Sequence, residues 1–103
     1  MKKMEFSFST KKLKYEVKFT SAMKKDVKIA FKRNYDLQLL AEVIEKLACG
    51  VPLDAKYKDH ALEGNYTGHR ELHIKPDWLL IYKIYENVLV LELCRTGTHS
   101  DLF

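Results

Sequence analysis

Residues 70–84 read Arg70-Glu71-Leu72-His73-Ile74-Lys75-Pro76-Asp77-Trp78-Leu79-Leu80-Ile81-Tyr82-Lys83-Ile84. Before the proline, Leu72 and Ile74 alternate with Glu71, His73 and Lys75, the period of a strand with one apolar and one polar face. Pro76 presets the torsion that the second position of a tight turn needs, and Asp77 is a good turn residue. Trp78 to Ile84 is then apolar almost throughout, as in a central strand. The stretch predicts an antiparallel hairpin whose polar face carries a histidine.

Toward the C-terminus, Tyr85-Glu86-Asn87 reads as a turn and Val88 to Arg95 as the last long strand. Toward the N-terminus, residues 51–68 read as a loop with turn signals at Gly64-Asn65 and Thr67-Gly68. Two helices precede it. In the first, from Ala22 to about Arg33, Met23, Val27 and Ala30/Phe31 form one apolar stripe, with Thr20 or Ser21 as N-cap. In the second, Asp36 is the cap and Leu37, Leu40, Val43/Ile44 and Leu47 the stripe. Gly50 suits the position after its last turn, with Pro52 beyond. Tyr15, Val17 and Phe19 alternate with Lys14, Glu16 and Lys18 as a first strand, at or near a sheet edge. The order β-α-α-β-β-β is an α+β fold, two helices packed on a small, mainly antiparallel sheet.

A chain of 103 residues with 47% hydrophobic content fits one domain with a modest core. Residues 14–103 are expected to form it, behind a basic extension (1–13) that is either a flexible arm or an extra strand. The charge is unevenly spread. Residues 1–35 carry a net +8 and residues 36–103 a net −4. A basic front suggests a polyanionic partner, and Lys24, Lys25, Lys28, Lys32 and Arg33 cluster on the first helix. Cys49 and Cys94, the only cysteines, are expected as buried free thiols. No apolar leader or membrane-length run is present, so a cytoplasmic protein without membrane attachment is expected.

The chemistry-bearing residues are His60, His73, Asp77, Trp78, Arg95, His99 and Phe103. RNA can be cut when its own 2′-hydroxyl attacks the adjacent phosphorus. This requires a base for the hydroxyl proton, a cation for the phosphate oxygens and an acid for the leaving 5′-oxygen. Imidazole titrates near neutrality and suits both proton transfers. Arginine offers a permanently charged, planar fork to phosphate. An aromatic ring can stack a base. By strict alternation Arg95 shares a face with Leu89, Leu91 and Leu93, so only a bulge, a twist or the strand's end can bring it beside His73. His69 has no special context. The pair His69/His73 lacks the glutamate that a zinc-protease helix needs, since Arg70 stands there. On a strand the two Cα atoms would also lie about 13 Å apart, so no shared metal is expected.

Tyr57-Lys58-Asp59-His60-Ala61-Leu62, Gly64-Asn65-Tyr66, His73 to Lys83 and Arg95-Thr96-Gly97-Thr98-His99-Ser100-Asp101-Leu102-Phe103 together resemble the YafQ branch of the RelE-like bacterial toxins. The resemblance runs from about Lys14 to Phe103; the basic lead-in is its main departure. It implies the RelE-like microbial RNase fold and the toxin of a type II toxin–antitoxin pair, a monomeric unit neutralised by a cognate antitoxin. It further implies a ribosome-dependent endoribonuclease that cleaves mRNA in the A site without metal or other cofactor. The family's catalytic positions fall on His60, His73, Asp77, Arg95 and His99, and its substrate-binding positions on Trp78 and Phe103. On this reading His99 is the acid, Arg95 holds the phosphate, and His73, Asp77 and His60 activate or orient the hydroxyl. Which of the three is the base is left open. The helix-borne Lys24, Lys25, Lys28, Lys32 and Arg33 would grip rRNA phosphates. A non-catalytic relative that blocks translation by binding alone is the alternative.

Overall fold

The computed structural model describes residues 13–103. The expectation for the basic extension therefore falls outside the described residues, apart from Leu13. Strand β1 (Glu16–Phe19) leads into helix α1 (Ser21–Lys32) and helix α2 (Leu37–Ala48). Strands β2 (His60–Ala61), β3 (Arg70–Lys75), β4 (Trp78–Tyr85) and β5 (Val90–Gly97) follow, and helix α3 (His99–Leu102) closes the chain. The sheet order is β1-β5-β4-β3-β2. β1 runs parallel to β5 at one edge, and the other pairings are antiparallel.

The helices start and stop where their caps are. Thr20 accepts the Met23 N–H and Asp36 the Gln38 N–H, each satisfying a first-turn amide. Gly50 follows α2 with φ +72°, and a Cβ there would sit 2.8 Å from the Lys14 side chain. The buried stripe of α1 differs from the expected one. Met23, Val27 and Ala30 are inside, but so is Asp26, whereas Phe31 is 48% exposed.

The two long helices cover one sheet face, and a smaller apolar cluster lies on the other. Leu72, Trp78, Leu80, Tyr82, Leu91 and Leu93 pack against Met23, Val27, Leu40 and Ile44 of the helices in the main core. The opposite face carries a smaller cluster, Leu79, Ile81, Cys94 and Leu102, flanked by Leu62 and Tyr66. Leu102 belongs to α3, so the C-terminal turn is docked on this second face.

Three features depart from the sequence reading. The last strand begins at Val90, because the loop extends through Val88 and through Leu89, whose φ is +52°. The 51–68 segment is not all loop: it holds two short 3₁₀ turns, Ala55–Tyr57 and Gly64–Tyr66, and β2. Cys94 is buried as expected, but Cys49 is only half-buried, since it caps α2 at the surface.

Candidate active site

The pairing register assembles the site. His60 lies opposite Glu71, Glu71 opposite Ile81, and Ile81 opposite Arg95. A second row runs from His73 to Leu79 to Gly97. Residues paired in register point to the same side of a sheet. These rows therefore share the face of Leu79 and Ile81, away from the two long helices.

Arg95 reaches that face through a β-bulge. Tyr82 pairs with Leu93, but Ile81 pairs with Arg95, so Cys94 is an extra residue and the alternation breaks there. Leu91 and Leu93 stay in the helix-side core while Arg95 turns with Ile81. Its guanidinium extends over the part of the β5 edge that β1 leaves uncovered. There Nε and a terminal nitrogen donate to Asp26 at 2.6 and 3.1 Å. The same carboxylate accepts the Thr96 N–H at 3.1 Å. Asp26 raises the guanidinium's already high pKa, with the Tyr66 phenol as a smaller contributor. A guanidinium has more N–H donors than these two bonds use, so Arg95 keeps capacity for a further anion.

The two central imidazoles are each oriented through Nδ1. His60 Nδ1 lies 2.7 Å from the Lys58 carbonyl, and His73 Nδ1 lies 3.3 Å from the Pro76 carbonyl. A carbonyl can only accept, so a neutral ring that makes this bond carries its proton on Nδ1 and its lone pair on Nε2. The rings are close, with centroids 6.3 Å apart. His73 Nε2 lies 3.8 Å from the carboxylate of Glu71, which is almost fully buried. Beside His73 an open cleft of about 550 Å³ is lined by Lys56, Lys58, Lys75, Tyr57 and Leu39.

The third group sits on α3. Thr98 and Asp101 form a capping box, and Asp101 also binds Arg33, with the closer oxygen 2.7 Å away. Hydrogen bonds from Arg33 and then from the Thr98 amide hold the Asp101 carboxyl well below the usual carboxylate range. The His99 N–H donates to Asp77 Oδ1 at 3.4 Å. The His99 ring stacks at 4.9 Å on Phe103, and Phe103 meets the edge of Tyr66 at 5.6 Å.

His60 and His73 thus meet, His99 meets Asp77 and Phe103, and Arg95 stands on the same face, two strands from His73's strand. Trp78, expected among the substrate-binding residues, lies mostly in the core and lines a cleft with Tyr35, Lys75, Pro76 and Asp77. It is 3% exposed in the helix-side core, packed on Tyr35 at 4.9 Å, and its indole N–H donates to Thr96 at 2.9 Å. Arg33 differs from its lysine neighbours, because its guanidinium is engaged with Asp101. Lys24, Lys25, Lys28 and Lys32 are exposed. Asp26, Glu71 and Tyr66 escaped the sequence reading. An acid within an apolar helical stripe was the one available signal, and it pointed to Asp26.

Two helices on one face of a five-stranded sheet, with an open histidine- and arginine-bearing face behind, make this a RelE-like toxin fold. Residues 15–103 match the family model described as the bacterial toxin of type II toxin–antitoxin system, YafQ. The chain belongs to the YafQ toxin family. It is 43% identical over 89 residues to the mRNA interferase toxin YafQ of Escherichia coli K12, covering 85% of this chain and 95% of that one. The E. coli DinJ-YafQ toxin–antitoxin complex contains a chain that superposes with a TM-score of 0.80 at 40% identity, covering 88% and 99% of the two. A metal-bound toxin from Helicobacter pylori superposes with a TM-score of 0.82 at 44% identity, covering 86% and 99%. Among the described residues no helix is long and apolar enough to cross a membrane.

Proposed function

We propose that this chain is the toxin of a type II toxin–antitoxin pair, and that it cleaves mRNA in the ribosomal A site through attack of the 2′-hydroxyl on the adjacent phosphorus. The observation that carries the reading is the shared face: two imidazoles whose Nδ1 faces a backbone carbonyl, a third imidazole on α3, and an arginine between them and the strand edge. His73 takes the 2′-hydroxyl proton at Nε2, and the Glu71 carboxylate stabilises the imidazolium that forms. His60 orients the hydroxyl. Arg95 neutralises charge on the phosphate oxygens in the transition state. His99 protonates the leaving 5′-oxygen. Asp77 positions His99 through its backbone, and Phe103 stacks the base beside the scissile bond.

The protein's own side chains carry both proton transfers, so the reaction proceeds without a metal at the reacting atoms. Lys56, Lys58 and Lys75 line the path of neighbouring phosphates. Lys24, Lys25, Lys28 and Lys32 hold rRNA without reading its sequence. Residues 14–103 carry the whole activity, in the cytoplasm, and a cognate antitoxin neutralises it, as a relative's complex with DinJ supports.

Induced expression with mRNA 5′-end mapping tests this. Wild type arrests growth and creates new 5′ ends, and co-expressed antitoxin relieves both. His99→Ala lowers cleavage about 10²–10⁴-fold, the usual loss of a proton-transfer group. Arrest without new ends would make the chain a non-catalytic translation blocker instead.

A further inference from the structure

His69, Glu92 and Cys94 bring three different metal-ligating side chains together, with one donor atom of each within 4.8 Å of the others. None of the three takes part in the cleavage chemistry above. Cys94 Sγ lies 3.4 Å from Glu92 Oε1. Tetrahedral zinc with bonds of about 2.0–2.3 Å to nitrogen, oxygen and sulfur holds its ligands about 3.3–3.7 Å apart, so one edge is already at that length.

A second observation points the same way. His69 Nδ1 is buried and has no hydrogen-bond partner. A buried polar atom left unpaired costs free energy, and such atoms call for an explanation. The ring packs edge-on against Tyr66 at 5.8 Å. A metal ion would give this imidazole the partner the protein does not.

We propose that His69, Glu92 and Cys94 form a Zn²⁺ site with water as the fourth ligand. The donor set fits. Nitrogen, carboxylate oxygen and thiolate sulfur suit a borderline-soft divalent ion and exclude a hard, all-oxygen one such as magnesium. Burial and the neighbouring Glu92 push the free thiol up to about 12. Ligation replaces its proton, which passes to solvent as the Zn–S bond forms. Lys83 and Tyr85 border the site: the Tyr85 hydroxyl donates to Glu92 at 3.4 Å, and the Lys83 ammonium lies over the Tyr85 ring.

The site's position gives it a purpose. Cys94 is the bulge residue that turns Arg95 to the open face. His69 supports Tyr66, which in turn meets Phe103. Zinc here staples the 64–69 segment to β5 and fixes both from beneath, without touching the reacting atoms.

The full chain, stripped with chelator, is titrated with Zn²⁺ by calorimetry and with Co²⁺ by absorbance. One ion binds per chain, cobalt gives a thiolate charge-transfer band, and Zn²⁺ raises Tm. Cys94→Ser removes the band, and Cys94→Ser and His69→Gln each weaken Zn²⁺ binding at least about tenfold, while His60→Ala and His73→Ala leave it intact. If Cys94→Ser does not fold, His69→Gln alone carries the test. Absence of binding, a cobalt spectrum without the thiolate band, or binding that survives His69→Gln and is lost in His73→Ala would overturn the assignment.

Discussion

At the scale of single residues, Asp26 is the clearest case of function built from the core side. It is buried on the apolar stripe of α1 yet accepts three hydrogen bonds, two from Arg95 and one from the Thr96 amide. Asn at this position keeps the shape and loses the charge. Asp26→Asn is expected to cost about 1.5–3 kcal/mol in urea unfolding, the range for hydrogen bonds to a charged group. Cleavage should fall as well, because Arg95 loses its anchor, and Asp26→Glu should restore part of it. The sequence made the histidines and Arg95 legible as chemistry. It did not reveal the partner of Arg95, because that partner lies 69 residues away and depends on how α1 crosses the β5 edge. Nor could alternation foresee the bulge at Cys94, since a bulge breaks the period on which the reading rests. The sequence reading did identify a bulge as one of the ways Arg95 could leave the face of its leucines.

At the scale of elements, the hairpin of β3 and β4 was legible almost residue for residue, because alternation, a proline turn and an apolar run all agree. The shorter elements were not. β2 has two residues, too few for any period, and exists only because His60 and Ala61 pair with β3. α3 is four residues long, and its capping box lies within a motif first noticed for its chemistry. Gly97 is what lets α3 fold back. A Cβ there would meet Asp101 Oδ2 at 2.9 Å and its Cβ at 3.1 Å. Asp101 is not free to retreat, because it holds both Thr98 and Arg33. Gly97→Ala is therefore expected to cost about 1–3 kcal/mol, the usual range for overpacking. It should also displace His99 and Phe103, so the cleavage rate should fall further than the stability loss implies. Unfolding curves and single-turnover rates on the same preparation separate the two effects.

At the scale of the whole molecule, the fold divides its labour between two sheet faces. The helix side stores the main core, and the opposite side carries a smaller apolar cluster of Leu79, Ile81, Cys94 and Leu102 beneath the histidines and Arg95. The Arg33–Asp101 pair ties the end of α1 to α3 across 68 residues and so links the two sides. Because Asp101 is held below the ordinary carboxylate range, its contribution to stability is fully present at neutral pH. It is lost as pH falls through and below that range, where the unfolded chain binds the proton more readily. Asp101→Asn should thus lower Tm at neutral pH and flatten its decline in acid, read from melting curves over a pH series. The α+β class and its helix-on-sheet layering could be read from the periodicities. The alternation of β3 also placed His73 on the face away from the helices, but which residues of β2 and β5 join it there depends on the register of the pairings.

The central claim is that this open face cuts RNA by internal attack of the 2′-hydroxyl. The most direct measurement is the chemistry of the ends produced when purified protein cleaves labelled mRNA in the A site of purified ribosomes. The account predicts a 2′,3′-cyclic phosphate on the upstream fragment and a 5′-hydroxyl on the downstream one, both lost with His99→Ala. A 5′-phosphate on the downstream fragment would contradict it, because water and not the neighbouring hydroxyl would then be the nucleophile.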